Sequence, residues 1–229
     1  YDGLLKNADQ KTLYELQETF SQEYTWHSSS LEGNTITLGG ATYYLTEDRV
    51  PPNEDLHQSQ LYDIRNGHHA FLHILKNHKR LPINHKVIQD IHVRLVKDID
   101  SRVGYRRENV RIKGSSVRPS DHYYVLTDMK DLLSWYKENE RKLHPLVLAS
   151  AFHTRFEQIH PFMDGNGRAG RLLMNLILLK KGYPPVVIRR KGRRKYLETL
   201  ERAQKKYYKD LEMKNFKPFL DYVCEEHRK

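Results

Sequence analysis

What this chain can fold into is constrained most by twelve consecutive residues, His160-Pro161-Phe162-Met163-Asp164-Gly165-Asn166-Gly167-Arg168-Ala169-Gly170-Arg171, and by what flanks them. Upstream, Pro145 suits the first turn of a helix. Leu148, Ala151, Phe152, Phe156 and Ile159 then recur at helical spacing as far as His160, where the following Pro161 disfavours further helix. Downstream, an apolar run from Leu172 to Leu179 reaches Lys180 and Lys181, then Gly182 and the Pro184-Pro185 pair, a helix ending on cations, glycine and proline. The pattern predicts two helices joined by a tight loop, with Gly165-Asn166-Gly167 opening the second.

A helix start of this kind offers unpaired N–H groups and the positive end of the dipole, and glycines let a ligand come close to the backbone. Arg168 and Arg171 share a face at i, i+3, and two cations in a first turn oppose the dipole unless an anion or an acidic partner is bound. The stretch is therefore read as a phosphate site rather than a polar loop with solvated arginines. Two familiar phosphate motifs are rejected. Gly165 to Gly170 fits GxGxxG, but the dinucleotide fingerprint follows a strand, and the preceding segment here is helical. The same glycine spacing is that of a P-loop, yet Arg171 and Leu172 stand where Lys and Ser/Thr are required.

The stretch resembles the signature of the Fic family, His-x-Phe-x-(Asp/Glu)-Gly-Asn-Gly-Arg-x-x-Arg, and matches every fixed position. The resemblance implies a mainly α fold, a Fic-type helical bundle with a β-hairpin flap near the active site. It also implies transfer of AMP from the co-substrate ATP to a Ser, Thr or Tyr hydroxyl of a target protein. On that reading His160 is the general base, an imidazole that titrates near working pH. Asp164 holds Mg2+, a hard cation suited to one carboxylate plus phosphate oxygens. Asn166 with the Gly165 and Gly167 backbone cradles the α-phosphate, and Arg168 and Arg171 take the β- and γ-phosphates with their guanidinium forks. Phe162 packs the loop against the core.

Nearer the start, Asp9 to Leu31 carries Leu13, Leu16, Phe20, Tyr24 and His27 along one helical face, and Gly33-Asn34 ends that helix. Between them Ser28-Ser29-Ser30-Leu31-Glu32-Gly33-Asn34 resembles the (Ser/Thr)-x-x-x-Glu-(Gly/Asn) inhibitory motif of Fic proteins, with Ser28 and Glu32 at its fixed positions. The resemblance implies that Glu32 pairs with Arg171 where the γ-phosphate belongs, so that ATP binds unproductively; the bland reading is a solvated helix-end glutamate. In some relatives this carboxylate also helps water remove AMP from the target, and the sequence leaves that open. Residues 1–36 are thus expected to be an N-terminal segment with an inhibitory helix, and residues 37–229 a Fic catalytic core.

The rest of the chain sets bounds. Its 229 residues can bury a real core, and the longest apolar stretch, 172–179, is far short of a membrane span. The single cysteine, Cys224, excludes an internal disulfide framework and leans toward a reducing, cytoplasmic setting, although the Tyr1 start suggests a trimmed chain. Helices are expected over 54–79, 83–96, 127–141, 196–208 and 216–226, with a short capped element from Thr37 to Tyr44. His68, His69 and His73 lack a completing carboxylate or cysteine and are read as surface or packing residues. Val110, Ile112 and Val117 around Lys113-Gly114-Ser115-Ser116 are read as a hairpin, the flap on which a target backbone would dock by strand addition. The basic run from Arg189 to Lys195, with a formal net charge of +10, supports an alternative, a nucleic-acid-binding module using that run as its contact surface. A solvated basic face explains the run as well, and no membrane partner is implied. Oligomeric state, including a homo-oligomer, stays open.

Overall fold

The two helices on either side of the twelve-residue stretch form the centre of the molecule. In this computed structural model, which describes residues 9–112, 114–204 and 213–229, α6 (Pro145–Ile159) and α7 (Asn166–Lys180) pack against each other. Both are apolar around nearly their whole circumference, and α7 is buried from Arg168 to Leu179, as a helix enclosed on every side must be. Around them lie α1 (Gln10–Leu31), α2 (Leu38–Glu47), α3 (Gln58–Asn77), α4 (His85–Val96), α5 (Val125–Asn139), α8 (Arg193–Gln204) and α9 (Met213–His227). The core runs through Phe71, Ile88, Met129, Phe152, Phe156 and Leu173. A satellite cluster of Ile36, Ala41, Tyr44, Leu61 and Ile64 seats α2 on α3. Among the described residues no helix is long and apolar enough to cross a membrane.

The helix ends have local causes. Asp9 caps α1 through Thr12 N–H at 2.9 Å, Thr37 caps α2 through Gly40 N–H at 2.9 Å, and Asn84 caps α4 through Val87 N–H at 2.9 Å. The third helix starts at Gln58 and not at residue 54. Glu54 is drawn away to the Thr37 hydroxyl and N–H, and His57 with Gln60 forms the capping box that sets the start. The expected helix over 196–208 begins earlier, at Arg193, and is described to Gln204; residues 205–208 lie outside the described residues, as do Tyr1 and Lys113.

The expected β-hairpin flap is corrected. Among the described residues the chain forms no strand, and 104–112 and 114–121 are irregular before a 3-10 turn at His122–Tyr124. Arg106 ties the two ends of this loop to the active-site loop, its guanidinium donating to the carbonyls of Glu108, Ser120 and His160, and Ser115 and Ser116 reach across to Glu201. The Glu108 and Ser120 carbonyls are thereby taken from any pairing between the loop's two ends.

Candidate active site

The loop between α6 and α7 is built by backbone conformation first. His160 ends α6 in the left-handed region, φ 52° and ψ 61°, a conformation uncommon for a residue with a side chain. Arg106 holds it there, its Nε donating to His160 O at 2.8 Å and its N–H to Pro161 O at 2.8 Å. Gly165, at φ 78°, makes the second left-handed turn, into the N-terminus of α7. Between them Phe162 is fully buried and stacks on His92, centroids 3.7 Å apart and planes 6° apart. His92 Nε2 donates to Asp164 O at 3.0 Å. Stacking and hydrogen bond together fix the loop from α4.

Asn166 is turned inward. Its side chain accepts from Phe162 N–H and donates to Phe162 O, both at 2.9 Å, so its amide shapes the loop from within instead of facing solvent. Asp164 faces outward, its side chain 58% exposed, with Oδ2 3.1 Å from Arg168 Nη2. Arg168 is buried and ion-paired to Asp63 of α3, which also accepts from Asn34. Burial opposes the Arg168 charge, but Asp63 and Asp164 outweigh it and hold its pKa above the usual value.

Arg171 is 1% exposed and fully engaged. Nε donates to Ser28 Oγ at 2.9 Å and Nη2 to Ser28 O at 2.9 Å. The same Nη2 lies 2.7 Å from Glu32 Oε1, and Nη1 approaches the Tyr196 hydroxyl at 3.5 Å. Desolvation works against its charge, and Glu32 foremost restores it, so its pKa is raised. Gly167 permits the contact, since a Cβ there would collide with the Glu32 carboxylate. The residues singled out at the two ends of the sequence, Ser28 and Glu32 against Gly167 and Arg171, thus lie together. His160 Nδ1 lies 3.4 Å from Glu157 O. Burial pushes its imidazole down to about 4, so it is neutral at neutral pH.

Sequence reasoning missed Asp63, Asn34, His92, Arg106, Tyr196 and Glu157. Only Glu157 had a local signal, one helical turn before His160; the others come from five separate segments. The basic run 189–195 lies on the surface, with Arg190, Lys191, Arg193, Arg194 and Lys195 exposed, and three of its cations have partners within the chain. Arg189 pairs with Glu226 at 3.2 Å, Lys195 with Glu225 at 2.6 Å, and Arg193 donates to Leu31 O at 2.9 Å.

With this geometry in hand, residues 82–178 match the model of the Fic/DOC family. The chain carries a Fic domain. Among similar proteins, protein adenylyltransferase fic-1 of Caenorhabditis elegans is 28% identical over 205 residues, covering 88% of this chain and 38% of the relative. Protein adenylyltransferase Fic of Drosophila willistoni is 30% identical over 207 residues, covering 89% of this chain and 39% of the relative. The chain therefore spans about two fifths of the length of these curated relatives. A Fic domain containing signaling protein from Bacteroides thetaiotaomicron shares the fold, with a TM-score of 0.86, 24% identity and coverage of 98% of this chain and 90% of that one. The Fic domain here is thus an all-helical Fic fold among the described residues, without a β-hairpin flap.

Proposed function

We propose that this chain is an autoinhibited protein adenylyltransferase, moving AMP from ATP to a hydroxyl side chain of a target protein. The observation that carries the reading is the contact of Glu32 with Arg171 above Gly167: a buried guanidinium at a phosphate-type helix start, with a carboxylate in the place of an anion. His160 Nε2 takes the proton as the target oxygen forms its bond to the α-phosphorus and the bond to pyrophosphate breaks. The N–H groups at Gly165 and Gly167 face the α-phosphate, and Asn166 keeps that loop in shape. Arg168, backed by Asp63, adds positive charge for the β-phosphate, and Arg171 takes the γ-phosphate once Glu32 has left it.

Asp164 fits Mg2+: it offers one outward carboxylate, and among the described residues no group of three or more His, Cys, Asp and Glu could hold a metal by itself. A cation that keeps waters and takes phosphate oxygens needs no more from the protein, and when bound it neutralises charge on the triphosphate. In the same reading the target backbone docks along 104–121, where residues between Asn109 and Asp121 surround a cavity of about 490 Å3. Glu32, with a side chain 41% exposed, can also assist water in removing AMP from the modified target. The test is incubation of the Glu32→Gly protein with ATP labelled at the α-phosphorus and a cell lysate. Label on protein, lost with His160→Ala, is expected; no label from this ATP, with label transferred instead from ATP labelled at the γ-phosphorus, would overturn the reading.

A further inference from the structure

Glu157 has no task in the reaction as described. Its side chain is 9% exposed, and Oε2 lies 3.9 Å from His160 Nδ1, while Oε1 has no hydrogen-bond partner. A buried carboxyl oxygen left without a partner costs stability. Gly170 of α7 makes the room, because a Cβ there would collide with the Glu157 carboxyl. The Glu157 carbonyl, which can only accept, faces Nδ1 from the same side at 3.4 Å, which favours the tautomer with the proton on Nδ1 and the lone pair on Nε2.

We propose that Glu157 is a positioning residue for His160: its carboxyl group, 3.9 Å from Nδ1, holds the imidazole with Nε2 free and stabilises the imidazolium formed when Nε2 takes the target's proton. The inference rests on His160 being the base. The proton travels from the target hydroxyl to Nε2 and from there to solvent, so Glu157 neither gains nor loses one in the cycle. The charged and titratable groups facing Glu157 are Glu32 from α1, Arg171 from α7, Tyr196 from α8, and His153 and His160 on α6. Burial and then Glu32 push the Glu157 carboxyl up to about 8, against Arg171. Burial foremost, with Glu32 second, therefore favours the protonated Glu157 carboxyl near neutral pH, and raising the pH toward 8 brings its charged form.

The experiment compares Glu32→Gly with Glu32→Gly/Glu157→Gln. The amide should lower kcat about 10- to 100-fold with KM for ATP within about threefold, the range for losing acid–base assistance without losing binding. The rise of kcat with pH below 8 should flatten, and 15N shifts of the His160 ring should lose their preference for the Nδ1–H tautomer. Glu157→Met, which keeps the volume and removes the charge, is read in the same way should the amide variant fail to fold. If His160→Ala still transfers AMP, the base reading fails and this inference with it. If His160→Ala is inactive while both Glu157 variants keep the parental kcat, pH profile and ring shifts, only this inference is overturned. A change confined to KM for ATP would assign Glu157 to nucleotide binding and overturn it as well.

Discussion

In the proposed function, the contact of Glu32 with Arg171 sets how often the phosphate site is open. Truncating one member of a buried pair costs about 3–5 kcal/mol, and the half-exposed Glu32 side chain brings this pair below that range. Even about 2.8 kcal/mol would hold the competent state near one part in a hundred. Glu32→Gly should therefore raise the rate of AMP transfer about 100-fold, whereas Arg171→Ala, which also loses the γ-phosphate contact, should stay at or below the parent. Equal rates for Glu32→Gly and the parent in a labelled-ATP assay would end the autoinhibition proposal. Asp164→Ala should remove most of the magnesium dependence of ATP affinity in calorimetry and leave metal-free binding unchanged, because its carboxylate meets phosphate through the cation. At this scale the sequence was informative where the chemistry is contiguous. Gly165, Gly167, Arg168 and Arg171 announce an anion site within one turn of helix, and Ser28 with Glu32 repeats a known spacing. It was silent on Asp63 and His92, which look like ordinary surface and packing residues until α3 and α4 bring them to the loop. Nor could it say which way Asn166 points, since an amide at a helix start serves a ligand and a loop equally well.

Among the elements, the join of α3 to α7 carries the most charge. Asp63 and Arg168 are both largely buried, so Asp63→Ala should lower unfolding free energy by about 3 kcal/mol, because Arg168 would keep only the exposed Asp164 carboxylate as a partner. A urea midpoint within error of the parent would show the pair to be solvated. Helix identities were legible because α1, α4, α5, α6 and α7 each keep one apolar face or are apolar all round, with capping residues at hand. The hairpin was not. Val110, Ile112 and Val117 around a Gly-Ser turn satisfy every local rule for two strands, but the Arg106 guanidinium holds the Glu108 and Ser120 carbonyls at the two ends of the loop. Local propensity cannot foresee a competing donor from outside the segment.

For the whole molecule, histidine burial sets the response to acid. Burial lowers His27, His68, His69, His73, His85, His92, His227 and, furthest, His153 to about 3 and His160 to about 4. The unfolded chain binds these protons near pH 6.5 and the folded one does not, so stability is present above that value and lost as pH falls from it toward 4. Thermal midpoints should drop by about 5 °C or more between pH 7.5 and 5.5, and His153→Gln should shrink the drop; a flat profile would contradict this burial. The net charge of +10 should give only weak, salt-sensitive retention on DNA, unchanged by neutralising Arg189 and Lys195, whose partners are Glu226 and Glu225. Retention abolished by those two changes would revive the nucleic-acid alternative. Glu32 itself lies just beyond the last residue of α1 and before Gly33 at φ 105°, while Ser28 and Leu31 are gripped by Arg171 and Arg193 independently of it. Release is then a swing of one side chain on the nanosecond-to-microsecond scale, with the helix left in its berth. Amide deuterium uptake along residues 10–31 would be the same in Glu32→Gly as in the parent, and on the proposed reading the phosphate site can be freed with nothing melted.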